Sequence, residues 1–243
     1  MSALLELRKL RKEFGGLVAV NDVSLGIDPG EVVGLLGPNG SGKTTVMNLI
    51  SGALSPTSGE VRLRDKPVQH MPAHLRARLG IARTFQLVRL ASSLTASDNI
   101  VLSLAFGRDP VWGPTAHERA EAALATVGLP GLGNVKVQSL NYIDQKRLEL
   151  ARAIATRPDI LLLDEWLAGL NPTELRTGID LIGTLKDEGM TIVLVEHIME
   201  AVREICPRCV VMSAGSVIAD GPTSEVLSDP AVVAAYLGNF EYA

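Results

Sequence analysis

The segment Gly37-Pro38-Asn39-Gly40-Ser41-Gly42-Lys43-Thr44 sets three glycines, a lysine and a hydroxyl in the spacing GxxxxGK[ST]. Glycines tolerate the backbone conformations that turn successive N–H groups toward one centre, which suits phosphate oxygens. A helix opening at the end of such a loop adds the favourable end of its dipole. Lys43 then reaches the β- and γ-phosphates of a nucleotide, the Thr44 hydroxyl ligates Mg2+, and Thr45 extends the polar lining. A second constellation is Ile160-Leu161-Leu162-Leu163-Asp164-Glu165, an apolar run ending in two carboxylates. Ligands of α/β sheets bind at the carboxyl ends of strands. There Asp164 would hold Mg2+ through water, and Glu165 would polarise an attacking water as general base. Alone, such a pair reads equally well as an N-cap opening the next helix; downstream of a full phosphate loop the chemical reading prevails.

Positioning these groups requires strands that end where the chemistry begins. Apolar, often β-branched runs at Leu4–Leu7, Val23–Ile27, Val32–Leu36, Gly80–Phe85, Ile160–Leu163, Ile192–Val195 and Val210–Ser213 predict strands. Several are apolar throughout, as strands buried on both faces of a parallel sheet are. Helical spacing follows at Gly42–Ile50, Ala116–Val127, Gln145–Thr156, Pro172–Asp187 and Ile198–Ile205, with Asn171 as N-cap before Pro172. The first thirty residues read as all-β, with turns at Gly15-Gly16 and Asp28-Pro29-Gly30. From Leu87 to Arg157 no strand is convincing, and helical patterns dominate. A hairpin is expected at Ala214-Gly215 and a short helical tail after Pro230.

The bulk composition narrows the class. The chain has 243 residues, 47% of them hydrophobic, enough for one large α/β domain with a real core. A net charge of -4 argues against a nucleic-acid binder, which carries a basic excess. Met1 to Lys12 contain no apolar signal region, and no run of 18 apolar residues is present to span a bilayer. The two cysteines, Cys206 and Cys209, lack a second pair at ligand spacing and read as ordinary thiols of a reducing compartment.

Further motifs fall in an order that resembles ABC transporter ATPases along essentially the whole chain. Phe14 stands where that family stacks an aromatic on adenine. Gln86, ending Ile81-Ala-Arg-Thr-Phe-Gln86, resembles the Q-loop glutamine that contacts Mg2+ and the water. Ala168-Gly-Leu-Asn171 resembles the D-loop, and His197 the switch histidine that contacts the γ-phosphate. The resemblance implies an α/β fold: a P-loop NTPase core with an N-terminal antiparallel β subdomain and an inserted α-helical subdomain. The single domain, 1–243, would divide into 1–86 with 158–243 and the helical insertion 87–157. ATP and Mg2+ are the implied cofactors. Lys12-Glu-Phe-Gly-Gly-Leu17, Leu148-Glu-Leu-Ala-Arg152, Val195-Glu-His197 and the ending Ala235-Tyr-Leu-Gly238 are similar to the larger ATPase subunit of branched-chain amino acid importers. Importers for urea, amides or aromatic acids share these phrases. The implied partners are two transmembrane permease subunits, a second and distinct ATPase subunit, and indirectly an extracytoplasmic solute-binding protein, with no nucleic acid. The implied place is the cytoplasmic face of the cell membrane.

The chain departs from the family in three places. The signature Leu-Ser-x-Gly-Gln crosses the dimer interface and contacts the γ-phosphate held by the opposite subunit. Here it reads Leu140-Asn141-Tyr142-Ile143-Asp144-Gln145. Asn141 can still donate a hydrogen bond, but the β-branched Ile143 blocks close approach to phosphate and resists positive φ. After Glu165, Trp166 replaces proline and sets a large ring near the catalytic carboxylate, and Leu167 replaces a small residue. Ala91 stands where a bulkier apolar residue is usual. Either a partner subunit tolerates these changes or one of two composite ATP sites is impaired. Two rivals remain at this level. One is a nucleotide-operated clamp with little turnover; the other is a soluble ABC protein acting on DNA or ribosomes, against which the single cassette and the charge both argue.

Overall fold

Two sheets divide the strands of the computed structural model, which describes residues 3–237. The first is antiparallel and contains β1 (Leu5–Phe14), β2 (Leu17–Ile27), β4 (Ser58–Leu63) and β5 (Lys66–Pro67) in the order β2-β1-β4-β5. The second runs β10-β9-β3-β8-β7-β6 and comprises β3 (Val32–Leu36), β6 (Ile81–Arg83), β7 (Ile160–Asp164), β8 (Thr191–Val195), β9 (Arg208–Ser213) and β10 (Ser216–Pro222). Its neighbours are parallel except the β9–β10 hairpin.

The unbroken apolar strands are explained by what lies on each side. Successive side chains point to opposite faces. In β7, Leu161 and Leu163 enter one hydrophobic cluster while Ile160 and Leu162 enter the other. In β8, Ile192 and Leu194 oppose Val193 and Val195 in the same way. The second cluster lies between the sheets, filled by Val46, Met47, Leu49 and Ile50 of α1 (Lys43–Ser51). On the far face sit α6 (Pro172–Asp187) and α7 (Met199–Ile205), contributing Ile179, Ile182, Leu185, Val202 and Ile205. Asn171 and Glu174 form a capping box at the start of α6, with Pro172 in its first turn.

Between β6 and β7 the chain is helical: α3 (Ala96–Phe106), α4 (Pro114–Thr126) and α5 (Tyr142–Ala155). Ala116, Ala120 and Ala123 of α4 are buried, and such small side chains let the three helices approach closely. A short α2 (Ala73–Arg78) precedes β6, and α8 (Thr223–Val226) and α9 (Pro230–Leu237) close the described chain. The sequence reading missed β4, β5 and α2, whose segments carry charge and no long apolar run. It also ended the first strand at Leu7, whereas β1 continues through the charged stretch to Phe14 with Leu10 inward. Gly238 of the terminal phrase lies outside the described residues.

Candidate active site

The phosphate loop leaves β3 and enters α1 at Lys43. Two of its glycines are required on geometric grounds. Gly37 has φ 141° and Gly42 φ 104°. A Cβ on Gly37 would collide with the Met212 carbonyl oxygen, and one on Gly42 with that of Ala19. Lys43 is almost fully buried, and its Nζ donates to the carbonyls of Gly37 (2.7 Å) and Pro38 (3.0 Å). Burial lowers its pKa, and the Glu165 and Asp164 carboxylates oppose that shift. The Ser41 Oγ is buried without a protein partner, so the loop retains an unsatisfied polar group of the kind a phosphate oxygen pairs with. Asn39, Gly40 and Thr44 face solvent, and Thr45 is half-buried. Phe14 ends β1 with its ring 44% exposed and the Lys12 ammonium 5.1 Å from its centroid.

The catalytic candidates converge at the end of β7. Glu165 follows the strand in a left-handed conformation, φ 51°, its N–H bonded to the Val195 carbonyl at 2.9 Å. Gln86 donates from Nε2 to Glu165 Oε2 at 2.6 Å. His197 Nε2 lies 3.0 Å from Glu165 Oε1. A carboxylate only accepts, so this nitrogen carries a proton. The side chains of His197 and Glu165 are 40% and 19% exposed, which leaves water access to the carboxylate. Residues far apart in sequence, 86, 165 and 197, thus meet on one carboxyl group.

Asp164 is buried, and its Oδ2 accepts from Arg83 Nη2 at 2.7 Å. Arg83 also donates to Asn48 Oδ1 at 2.6 Å, linking β6 to α1. The sequence reading missed Arg83 and the two helix residues that hold the site open. Glu149 of α5 accepts from the backbone of Phe85 (3.3 Å) and Arg89 (3.0 Å), bracketing Gln86. Lys146, one turn earlier, is buried and donates to the carbonyls of Trp166 (2.8 Å) and Ala168 (2.6 Å), just after Glu165. The visible signal was two charged residues at i, i+3 on the apolar face of a helix.

A family profile described as ABC transporter matches residues 20–168, more than half of the chain. The chain belongs to the ABC transporter ATP-binding family. A second profile, Branched-chain amino acid ATP-binding cassette transporter, matches residues 216–241. The cassette is 40% identical to the high-affinity branched-chain amino acid transport ATP-binding protein LivG of Escherichia coli strain K12, covering 97% of this chain and 98% of the relative. It is 34% identical to the lipopolysaccharide export system ATP-binding protein LptB of the same strain, over 97% and 98%. Among solved structures, the ADP conformation of MJ1267, an ATP-binding cassette of an ABC transporter, superposes with TM-score 0.88 at 29% identity, over 98% of this chain and 100% of that one. The chain is thus an ATPase of the ABC type, and no described helix is long and apolar enough to cross a membrane.

The family's signature position shows what the departures do in this cassette. Asn141 is the N-cap of α5, its side-chain oxygen accepting from Asp144 N–H at 2.8 Å, which leaves the amide nitrogen to donate outward. Ile143 lies in the first turn of α5, with its side chain buried and without positive φ. The expected conflict with a left-handed backbone is therefore absent. Leu140 is buried beside it, and its carbonyl accepts from Gln145 Nε2 at 2.9 Å. The Trp166 ring also departs from expectation. It turns away from Glu165 into the core, 1% exposed, and its Nε1 donates to the Lys146 carbonyl at 3.2 Å. Space for it comes from Gly178 of α6, where a Cβ would stand 2.6 Å from Leu167 and 3.2 Å from Trp166. Leu167 N–H donates to the buried Glu196 at 2.7 Å. Burial pushes the Glu196 pKa up to about 7, against the lowering effects of that bond, the His197 N–H and the nearby Lys146. Ala91 is fixed by Asn99, which accepts from its N–H and donates to its carbonyl.

Proposed function

We propose that this cassette drives import of branched-chain or chemically related amino acids, coupling ATP-driven pairing of two ATPase subunits to alternating access of a membrane permease. The observation that carries the catalytic half is the meeting of Gln86 and His197 on Glu165. The solute class is supported by the terminal match at 216–241 and by 40% identity to a branched-chain cassette against 34% to a lipopolysaccharide exporter. The roles assigned to Glu165, Gln86, His197 and the loop residues are those the family resemblance implies, and the contacts of Gln86 and His197 with Glu165 support them.

In this reading ATP lies along the loop from Gly37 to Thr45, its adenine on Phe14, and Lys43 leaves the Gly37 and Pro38 carbonyls for the phosphates. Thr44 near the start of α1, Asp164 at the end of β7 and Gln86 beyond β6 supply an all-oxygen donor set, which fits Mg2+. When bound, Mg2+ would offset the charge that develops on the phosphates. Glu165 accepts a proton from the attacking water. His197, held on the same carboxylate, donates its N–H toward the γ-phosphate. Gln86 orients the water. Phosphoryl transfer of this kind depends on positioning and charge, and the residues present are suited to both.

In this reading the signature loop, with the Asn141 amide nitrogen left over from capping α5, would complete the site of a second ATPase subunit. A distinct partner with an intact signature would complete this chain's own site. The site completed by Asn141 and Ile143 would then turn over slowly. Permease subunits have a candidate seat in the groove between α1, α2, α3 and α5, about 360 Å3, lined by Ala73, His74, Ala77, Phe85, Phe106 and Arg152. Exposed Phe106 and Trp112 meet edge to face at its mouth, centroids 6.1 Å apart. The assembly would stand on the cytoplasmic face, fed by an extracytoplasmic binding protein. The deciding experiment is ATP-dependent uptake of labelled leucine, isoleucine and valine by right-side-out vesicles that enclose ATP and carry the chain with its permeases and binding protein. Uptake lost on Glu165→Gln supports the proposal; ATP-driven efflux, or transport of none of these solutes, overturns it.

A further inference from the structure

The terminal phrase Ala235-Tyr-Leu-Gly238 entered the sequence reading only as a resemblance, and the hydrolytic site described so far makes no use of it. The structure gives its tyrosine a place. Tyr236 lies in α9, 199 positions from the phosphate loop, yet its hydroxyl accepts from the Gly37 N–H at 2.8 Å. Gly37 is the residue at which β3 ends and the loop begins. Its carbonyl accepts from Lys43 Nζ at 2.7 Å, and its Cα lies flush against the Met212 carbonyl. A single residue is therefore held on one side by the nucleotide-seeking lysine and on the other by α9.

The helix has its own seating. Asp229 accepts from Ala231 N–H at 2.7 Å at its start, and Val232 is buried in the main core. Tyr236, Val232 and Val233 share the wall of a cavity of about 330 Å3 with His197, Met199 and Arg203. The phenol thus stands between the phosphate loop and the segment that carries the switch histidine. The Lys43 ammonium has three N–H donors and gives two to the Gly37 and Pro38 carbonyls, so the phosphates of a nucleotide compete with those carbonyls for it. Tyr236 is the side chain that grips Gly37 throughout that competition.

We propose that Tyr236 is a positioning residue of the nucleotide site: its hydroxyl anchors the first residue of the phosphate loop, so that seating of α9 and binding of ATP favour each other. Two sites coupled in this way must report the coupling reciprocally. Binding should be weakened by removing the hydroxyl, and α9 should be protected by nucleotide.

The inference rests on nucleotide binding by the loop, and the native chain's own titration tests that premise separately. The full chain and its Tyr236→Phe variant are titrated with MgATP at equilibrium, and amide exchange of the α9 peptide is followed with and without nucleotide. Loss of one net hydrogen bond predicts affinity about fivefold weaker. Because the bond already exists without nucleotide, the nucleotide-free melting temperature should fall slightly, and MgATP should raise it less in Tyr236→Phe than in the native chain. Protection of α9 should rise with MgATP in the native chain and stay flat in Tyr236→Phe. Native affinity in Tyr236→Phe overturns the proposal. So does α9 exchange that ignores MgATP in the native chain, or MgATP protection of α9 that is equal in Tyr236→Phe. A native chain that binds no MgATP at all overturns the reading of the loop itself.

Discussion

The two ends of the cassette's chemistry are built in opposite ways. Around Glu165 the polar groups of three separate segments converge on one carboxylate, and Lys43 is held ready on loop carbonyls it can give up. At the start of α5 the polar groups look after their own backbone: Asn141 caps the helix and Gln145 returns to the Leu140 carbonyl. The first region is a site waiting for substrate, and the second is a locally satisfied surface whose partner must come from elsewhere. Asn141 and Gln145 can therefore change without breaking the contacts to Glu165, because their side-chain bonds stay within their own turn.

The sharpest way to test this contrast is at Glu165. Glu165→Gln should keep MgATP binding and lose about 100- to 10,000-fold in turnover, the range a general base contributes. Equal turnover would break the comparison at its stronger end. At the weaker end, Asn141→Ser with Ile143→Gly should raise turnover of the chain alone about tenfold, the worth of one to two hydrogen bonds to phosphate. While dimers are scarce the total rate should rise with the square of chain concentration, since each signature serves another copy. No gain means that the buried Ile143 is tolerated and the asymmetry is only apparent.

Smaller effects probe the junction between the regions. Gly178→Ala places a methyl group against Leu167 and Trp166, and overpacking of this kind costs about 1–3 kcal/mol in a melt. A neutral result would mean that the Trp166 pocket is soft and transmits little. Glu196 gives the gentlest effect. Its folded pKa, about 7, stands above the ordinary 4.5, so across that window the folded chain keeps a proton that the unfolded chain releases. Its stabilising contribution is full below about pH 4.5 and is lost as pH rises through about 7. Melting temperature followed from pH 4.5 to 8 should fall less steeply in Glu196→Gln than in the native chain.

Much of this was legible in the residues alone. The loop Gly37–Thr44, the strand Ile160–Asp164 and the capped helix at Pro172 each carry a local rule, and the structure obeys it. The convergence of Gln86 and His197 on Glu165 was not legible by local rules, because no periodicity relates residues from three strands; family order alone suggested it. The direction of the Trp166 ring was misread for a related reason. A side chain's direction depends on what it can displace, and the gap beside Gly178 is visible only once α6 is packed. Arg83, Lys146 and Glu149 escaped notice because a charged residue in sequence looks like surface until its helix or strand is seen to be covered.

Lys146 and Glu149 stand one turn apart on α5 and fasten the loops on either side of the catalytic carboxylate. Asn141 opens that same helix. Whatever takes hold of the helix at its exposed end therefore also takes hold of Glu165 and Gln86 through a strut of buried bonds. In a pair of subunits, each strut would run from one reaction centre to the other. The timing between them would then be a matter of gearing inside each chain, set before any signal from the membrane arrives.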